Sequence, residues 1–82
     1  MSDLLFAEPA DNVAIVLSEK SQGERLAFLD AEGRPSVVTL REKIPARHKV
    51  AVRPIRSGET VVRYGFPIGR ATSDIEPGDW IH

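Results

Sequence analysis

Ile44-Pro-Ala-Arg47-His-Lys-Val50, Ile55-Arg-Ser-Gly58-Glu-Thr-Val61 and Ile75-Glu-Pro-Gly78-Asp-Trp-Ile81 repeat one spacing. Each begins on isoleucine, passes through a three-residue turn, and two residues later reaches a β-branched apolar side chain. The physical content is a buried anchor, a tight turn and entry into a strand. Glu76-Pro-Gly-Asp79 predicts a type II turn, with proline at its second position and glycine at the third, where φ is positive. Arg47 holds the glycine slot of the first copy, so that turn is either of another type or strained. Units of this kind build a compact, irregular β fold, and they are too short and too few for a solenoid.

Outward from the repeat, the apolar pattern is one of short strands. Val13-Ala-Ile-Val-Leu17 is a continuous, largely β-branched run that reads as a buried strand. Arg25–Leu29 and Val37–Leu40 flank Ala31-Glu-Gly-Arg-Pro35, a hairpin connection by its glycine and proline. Lys49-Val-Ala-Val-Arg53 alternates as a half-buried strand does, and Thr60–Tyr64 is another strand, ended by Gly65 and Pro67. Leu17 to Leu26 is the one stretch with room for a helical turn, weakened by Gly23. The expectation is a mostly β domain of six or seven strands with at most one short helix.

Length and composition bound the function. Eighty-two residues make a single domain over 1–82, one that is small for a complete metabolic enzyme. Leu, Ile, Val and Phe number 23, enough for a core. Cysteine is absent, which excludes disulfides and thiolate metal sites. No apolar run is long enough to span a membrane, and the start lacks the basic and apolar regions of a secretory signal, so a cytoplasmic location is expected. A net charge of −1 argues against a generic nucleic-acid binder. The charge is unevenly placed: residues 1–40 carry three basic and seven acidic side chains, residues 41–82 eight basic and five acidic. Solvated strand edges explain that as readily as a basic surface facing a carboxylated ligand or an acidic partner does.

Chemistry-bearing motifs are scarce. There is no nucleophile elbow, phosphate loop or zinc pattern, and no base in sequence accompanies a serine. His48 follows a turn within Arg47-His-Lys49 and is a candidate general acid or base, or a metal ligand. His82 follows what reads as a strand still running at Ile81, which points to a longer chain or a completing subunit.

Taken in order, Ala10-Asp-Asn-Val-Ala14, Val38-Thr-Leu-Arg41, His48-Lys-Val-Ala51, Val61-Val-Arg-Tyr-Gly65, Pro67-Ile-Gly69 and Ile75…Gly78…His82 resemble the N-terminal segment of the altronate dehydratase and galactarate dehydratase family. That segment is an SAF domain with a β-clip fold. Three departures stand out. Arg47 replaces the family's glycine before His-Lys, Arg63 replaces a lysine before Tyr-Gly, and the His-x-His-Asn type ending is reached only at its first histidine, His82.

The resemblance implies a lyase that removes water from a sugar acid to give a 2-keto-3-deoxy acid, with this chain an accessory domain, fragment or small subunit, inactive alone. It implies a catalytic dehydratase domain or large subunit as partner, a sugar acid as substrate, and a divalent metal, iron in many members, in the full enzyme. On the matching positions it places His48 as an acid/base shared with the catalytic part, Lys49, Arg63, Tyr64 and Gly65 as substrate-binding residues, and His82 as a metal ligand. Two alternatives accompany it: a non-catalytic carbohydrate- or carboxylate-binding SAF module, and the small subunit of a sulfolactate sulfo-lyase-like enzyme. Neither nucleic acid nor membrane is expected as a partner.

Overall fold

The repeated turns close onto one another in the computed structural model, which describes residues 4–6, 8–30 and 32–82. Among the described residues eight strands form: β1 (Leu4–Leu5), β2 (Val13–Val16), β3 (Arg25–Leu29), β4 (Pro35–Thr39), β5 (Lys49–Ala51), β6 (Thr60–Arg63), β7 (Phe66–Arg70) and β8 (Trp80–Ile81). They make a four-stranded antiparallel sheet in the order β1-β2-β5-β8 and two hairpins, β3–β4 and β6–β7. Among the described residues there is no helix, and so none that could cross a membrane.

The segment given room for a helical turn, Leu17 to Leu26, instead holds a fourth copy of the turn. Lys20-Ser-Gln-Gly23-Glu-Arg25 bridges to Ile44 through Lys20, as Ile55 bridges to Ile75. The third turn residue is left-handed in all four copies: Gly23 at φ 88°, Arg47 at 67°, Gly58 at 87° and Gly78 at 94°. Arg47 therefore adopts the shared turn with a side chain that disfavours it, the strained alternative of the two. Each copy is pinned the same way. The N–H of the third turn residue donates to the carbonyl of a buried residue, whose own N–H donates to the next turn carbonyl. Gly23 and Glu24 so hold Leu40, Arg47 and His48 hold Val16, Gly58 and Glu59 hold Ala71, and Gly78 and Asp79 hold Ala51, at 2.8 to 3.0 Å.

The chain is thus internally duplicated. The run β2–turn–hairpin–turn–β5 is repeated as β5–turn–hairpin–turn–β8, with the second hairpin shorter. β5 does not alternate as its sequence suggests. Val50, Ala51 and Val52 are all buried because the central sheet has a core on each face. Ala14, Val16, Val50 and Val52 join Leu26, Leu40 and Ile44 on one side, while Val13 and Ala51 join Ile55, Val61 and Ala71 on the other. Ile44 and Ile55 are fully buried anchors, each contributing about 2 kcal/mol by burial.

β7 was not expected, since Pro67 and Gly69 argue against a strand and every residue in it is exposed. It pairs through an irregularity at Val61/Val62 that sets Pro67 opposite Val62. A proline is tolerated there because β7 has no neighbour on its other side.

Candidate functional site

In three of the four turns the residue after the left-handed position is an acid that accepts a hydrogen bond from the N–H of the first turn residue. Glu24 takes Ser21 N at 2.5 Å, Glu59 takes Arg56 N at 2.6 Å, and Asp79 takes Glu76 N at 2.8 Å. The fourth turn departs at both ends of this bond. Pro45 has no N–H to offer, and His48 stands where the acid would be. The turn does without its side-chain cap and without its glycine, so the side chains of Arg47 and His48, unlike their main chain, take no part in holding it.

His48 is exposed and meets Trp80, which follows the last turn. The Trp80 indole Nε1–H donates to His48 Nδ1 at 3.2 Å, and the two rings meet edge to face at 5.4 Å between centroids. The other neighbour of Trp80 is His82, stacked on it at 3.9 Å and 28°. Glu42 fixes the main chain here by accepting Trp80 N at 3.0 Å. With Nδ1 accepting, a neutral His48 carries its proton on Nε2, so it presents a donor outward.

Beside Trp80 and His82 runs a groove of about 540 Å³ between β8 and the β6–β7 hairpin. Lys49 from β5 and Arg63 from β6 line it with Arg70, Thr72, Ser73 and the apolar Ile68 and Ile81. The structure therefore brings Lys49, Arg63 and His82 to one face, with His48 reached through Trp80. Tyr64 and Gly65 lie apart, at the β6–β7 tip, with φ of 54° and 74°.

Their amides are already engaged by Asp11, a carboxylate 1% exposed, which accepts Tyr64 N at 2.9 Å and Gly65 N at 2.8 Å. Asn12 extends the clamp, accepting Val62 N at 2.9 Å and donating to the Thr60 carbonyl at 3.0 Å. The guanidinium of Arg53 holds the carbonyls of Pro9 and Asp11. Asp11-Asn12 thus positions the hairpin that carries Arg63, whose guanidinium lies 4.6 Å from the Tyr64 ring centroid.

Among the described residues no three His, Asp or Glu side chains gather as a metal site. His82 keeps company with an indole, so a metal held by His82 would take its remaining donors from outside the described residues. Sequence reasoning singled out neither Arg70, Thr72 and Ser73 nor the link from Trp80 to His48. The pairing of Pro45 with His48 against the acids of the other turns was the signal that could have shown the second.

Comparison with known proteins bears on the whole chain. The family described as the altronate/galactarate dehydratase SAF domain matches residues 2–82. An altronate dehydratase of Bacillus subtilis is 33% identical over 82 residues, and one of Escherichia coli is 38% identical over 72. The chain spans only 16% and 14% of those two proteins. The (2R)-sulfolactate sulfo-lyase subunit alpha of Chromohalobacter salexigens is 27% identical over 82 residues, and there the match covers 87% of the relative.

Proposed function

Because the chain belongs to the altronate/galactarate dehydratase SAF domain family, we propose that it is the accessory domain, or a separate small subunit, of a sugar-acid hydro-lyase acting in the cytoplasm. One observation carries this reading. The chain is similar along all or most of its length to a small part of two altronate dehydratases and to most of a sulfo-lyase subunit alpha. Its partner is then a catalytic dehydratase part, which supplies the base and the divalent metal. The similarity to the sulfo-lyase subunit alpha, of which the match covers 87%, favours the separate-subunit form.

Dehydration of a hydroxy acid breaks the C–H bond α to the carboxylate and the C–O bond beyond it, and negative charge builds on the carboxylate as the proton leaves. A metal bound by the catalytic part would supply Lewis acidity for that charge. This domain contributes His48. Held through Nδ1 by Trp80, a neutral imidazole cannot take a proton while that bond lasts, so of the acid and base halves of the role the geometry favours the donor. Its Nε2–H stabilises developing negative charge or binds the departing hydroxyl. Lys49 and Arg63 turn positive charge toward the same face, where a carboxylate is held.

The test is reconstitution of the chain with a catalytic dehydratase part, following keto-acid formation from altronate and galactarate and sulfite release from (2R)-sulfolactate. His48→Ala is expected to lower kcat about 100-fold with KM little changed, as loss of one positioned donor does. Unchanged turnover in that variant removes His48 from the chemistry, and an enzyme indifferent to the presence of the chain removes the accessory role.

A further inference from the structure

The groove beside β8 differs from the rest of the surface in its electrostatics. Elsewhere in the basic second half three cations have carboxylate partners, and Arg53 is held by backbone carbonyls. Arg41 pairs with Asp79 at 3.4 Å, Lys43 with Glu19 at 3.5 Å, and Arg56 with Glu76 at 3.0 Å and Asp74 at 3.3 Å. Lys49, Arg63 and Arg70 share one groove, no acid lines it, and among the described residues none of the three has a carboxylate partner. Arg63 Nε is moreover a buried donor with no acceptor. Like charges gathered on one groove without counter-charge disfavour the empty groove, and one bound anion relieves that.

The internal duplication shows that the fold does not require this arrangement. Counted from the turn glycines, Arg63 after Gly58 corresponds to Phe28 after Gly23. Phe28 fills its place apolarly, packing against Phe6 at 5.9 Å between ring centroids. The groove on that side is lined by Asp30 and Glu32 together with Arg53, so its charge is mixed. Of two copies built on one plan, one carries an aromatic pair beside a groove of mixed charge and the other a groove lined by cations alone.

We propose that Lys49, Arg63 and Arg70 form an anion site for a small hydroxycarboxylate, with its carboxylate on the three cations and its hydroxyls against Thr72 and Ser73. The volume of about 540 Å³ suits a small molecule. The choice of a hydroxycarboxylate rests on the lyase reading above, while the anion site itself rests on the groove. Arg70, at the end of the exposed strand β7, is the residue that anchors the carboxylate from the hairpin side.

The test is an amide and indole NMR titration of the 82-residue chain at constant ionic strength with galactarate, galactitol and sulfate. Galactarate is expected to give saturable shifts at Lys49, residues 69–73 and the Trp80 indole. Galactitol, which has the hydroxyls without the charge, gives none, and sulfate binds more weakly than galactarate. Arg70→Met lies on an exposed strand and is expected to weaken galactarate at least tenfold with the rest of the spectrum unmoved. Absence of saturable shifts, equal binding of galactitol or sulfate, or indifference to Arg70→Met overturns the site. A groove built to dock an acidic segment of a partner protein gives the first of these results. The two readings fail separately: loss of turnover in His48→Ala without galactarate binding to the chain leaves the lyase role standing and the groove site fallen.

Discussion

Four turns on one plan allow a substitution experiment in which the local backbone is held constant and only the neighbours change. Gly58 and Gly78 occupy the same slot at φ 87° and 94°. A Cβ at Gly58 meets nothing within 4 Å, and one at Gly23 likewise. A Cβ at Gly78 falls 2.1 Å from the Thr39 carbonyl oxygen, 3.1 Å from its carbon and 3.2 Å from Arg41 Cγ. The close approach exists because Arg41 N donates to the Gly78 carbonyl at 3.0 Å, drawing the last turn onto the end of β4. Gly58→Ala and Gly23→Ala therefore carry only the left-handed penalty, about 1 kcal/mol after the gain from a stiffer unfolded chain. Gly78→Ala adds a collision between backbones that no rotamer relieves, a further ~2 kcal/mol or more. For a domain of this size that is roughly 5 °C in Tm for the first two variants and 15 °C for the third. Urea unfolding followed by the single tryptophan, with circular dichroism alongside, measures all three. Arg47→Gly runs the comparison in reverse, giving up to about 1 kcal/mol of added stability by removing the strain of that slot. If Gly78→Ala and Gly58→Ala agree within about 0.5 kcal/mol, the reasoning from close approach is wrong.

Other expectations follow from the polar contacts. Asp11→Ala leaves the amides of Tyr64 and Gly65 without acceptors and is expected to destabilise by about 3 kcal/mol, with faster hydrogen exchange at those two amides. Uniform acceleration across the chain instead counts against a local clamp. The hydrogen bond from Arg56 holds the Glu76 carboxyl below its ordinary range, and the Ser57 N–H, then Arg56, does the same for Asp74. Since the folded values lie below the unfolded ones, this stabilisation is complete above pH ~5 and fades as pH falls through the folded values. Carboxyl NMR of Arg56→Met should show Glu76 rising toward its ordinary value and Asp74 rising less; the opposite order contradicts the assignment of causes. Trp80→Phe keeps a ring beside His82 but removes the donor to His48 Nδ1, so the His48 ring nitrogen shifts should change and reconstituted turnover fall with KM held. Unmoved His48 shifts show that the indole does not hold it.

The parts of the fold that rest on local signals were legible. Isoleucine anchors and turn glycines announce three copies of the turn, and the β-branched run at Val13–Val16 announces a buried strand. The copy at Lys20 was hidden because a lysine occupies the anchor position and leaves no apolar mark in the sequence. β7 left no trace because a strand exposed along its whole length has no burial pattern, and its proline and glycine read as breakers. The grip of Asp11 on the β6–β7 tip joins residues more than fifty positions apart, and no local rule reports it. Of the site, the residue types were visible, and the groove that joins Lys49 and Arg63 to Arg70 was not. It is a product of how the hairpin folds back beside β8.

The doubling of the chain has one member that is not doubled. β5 closes the first unit and opens the second, lying between β2 and β8 with a core on each of its faces. A chain cut just after Val52 gives one piece its complete unit and the other a hairpin with no strand to rest on. The two units therefore cannot melt one after the other, as beads on a string do, because whichever lets go first strips the shared strand from its neighbour. Length can be added or lost at the hairpin tips, where the two units already differ, whereas the three residues of β5 are common property and admit no independent drift.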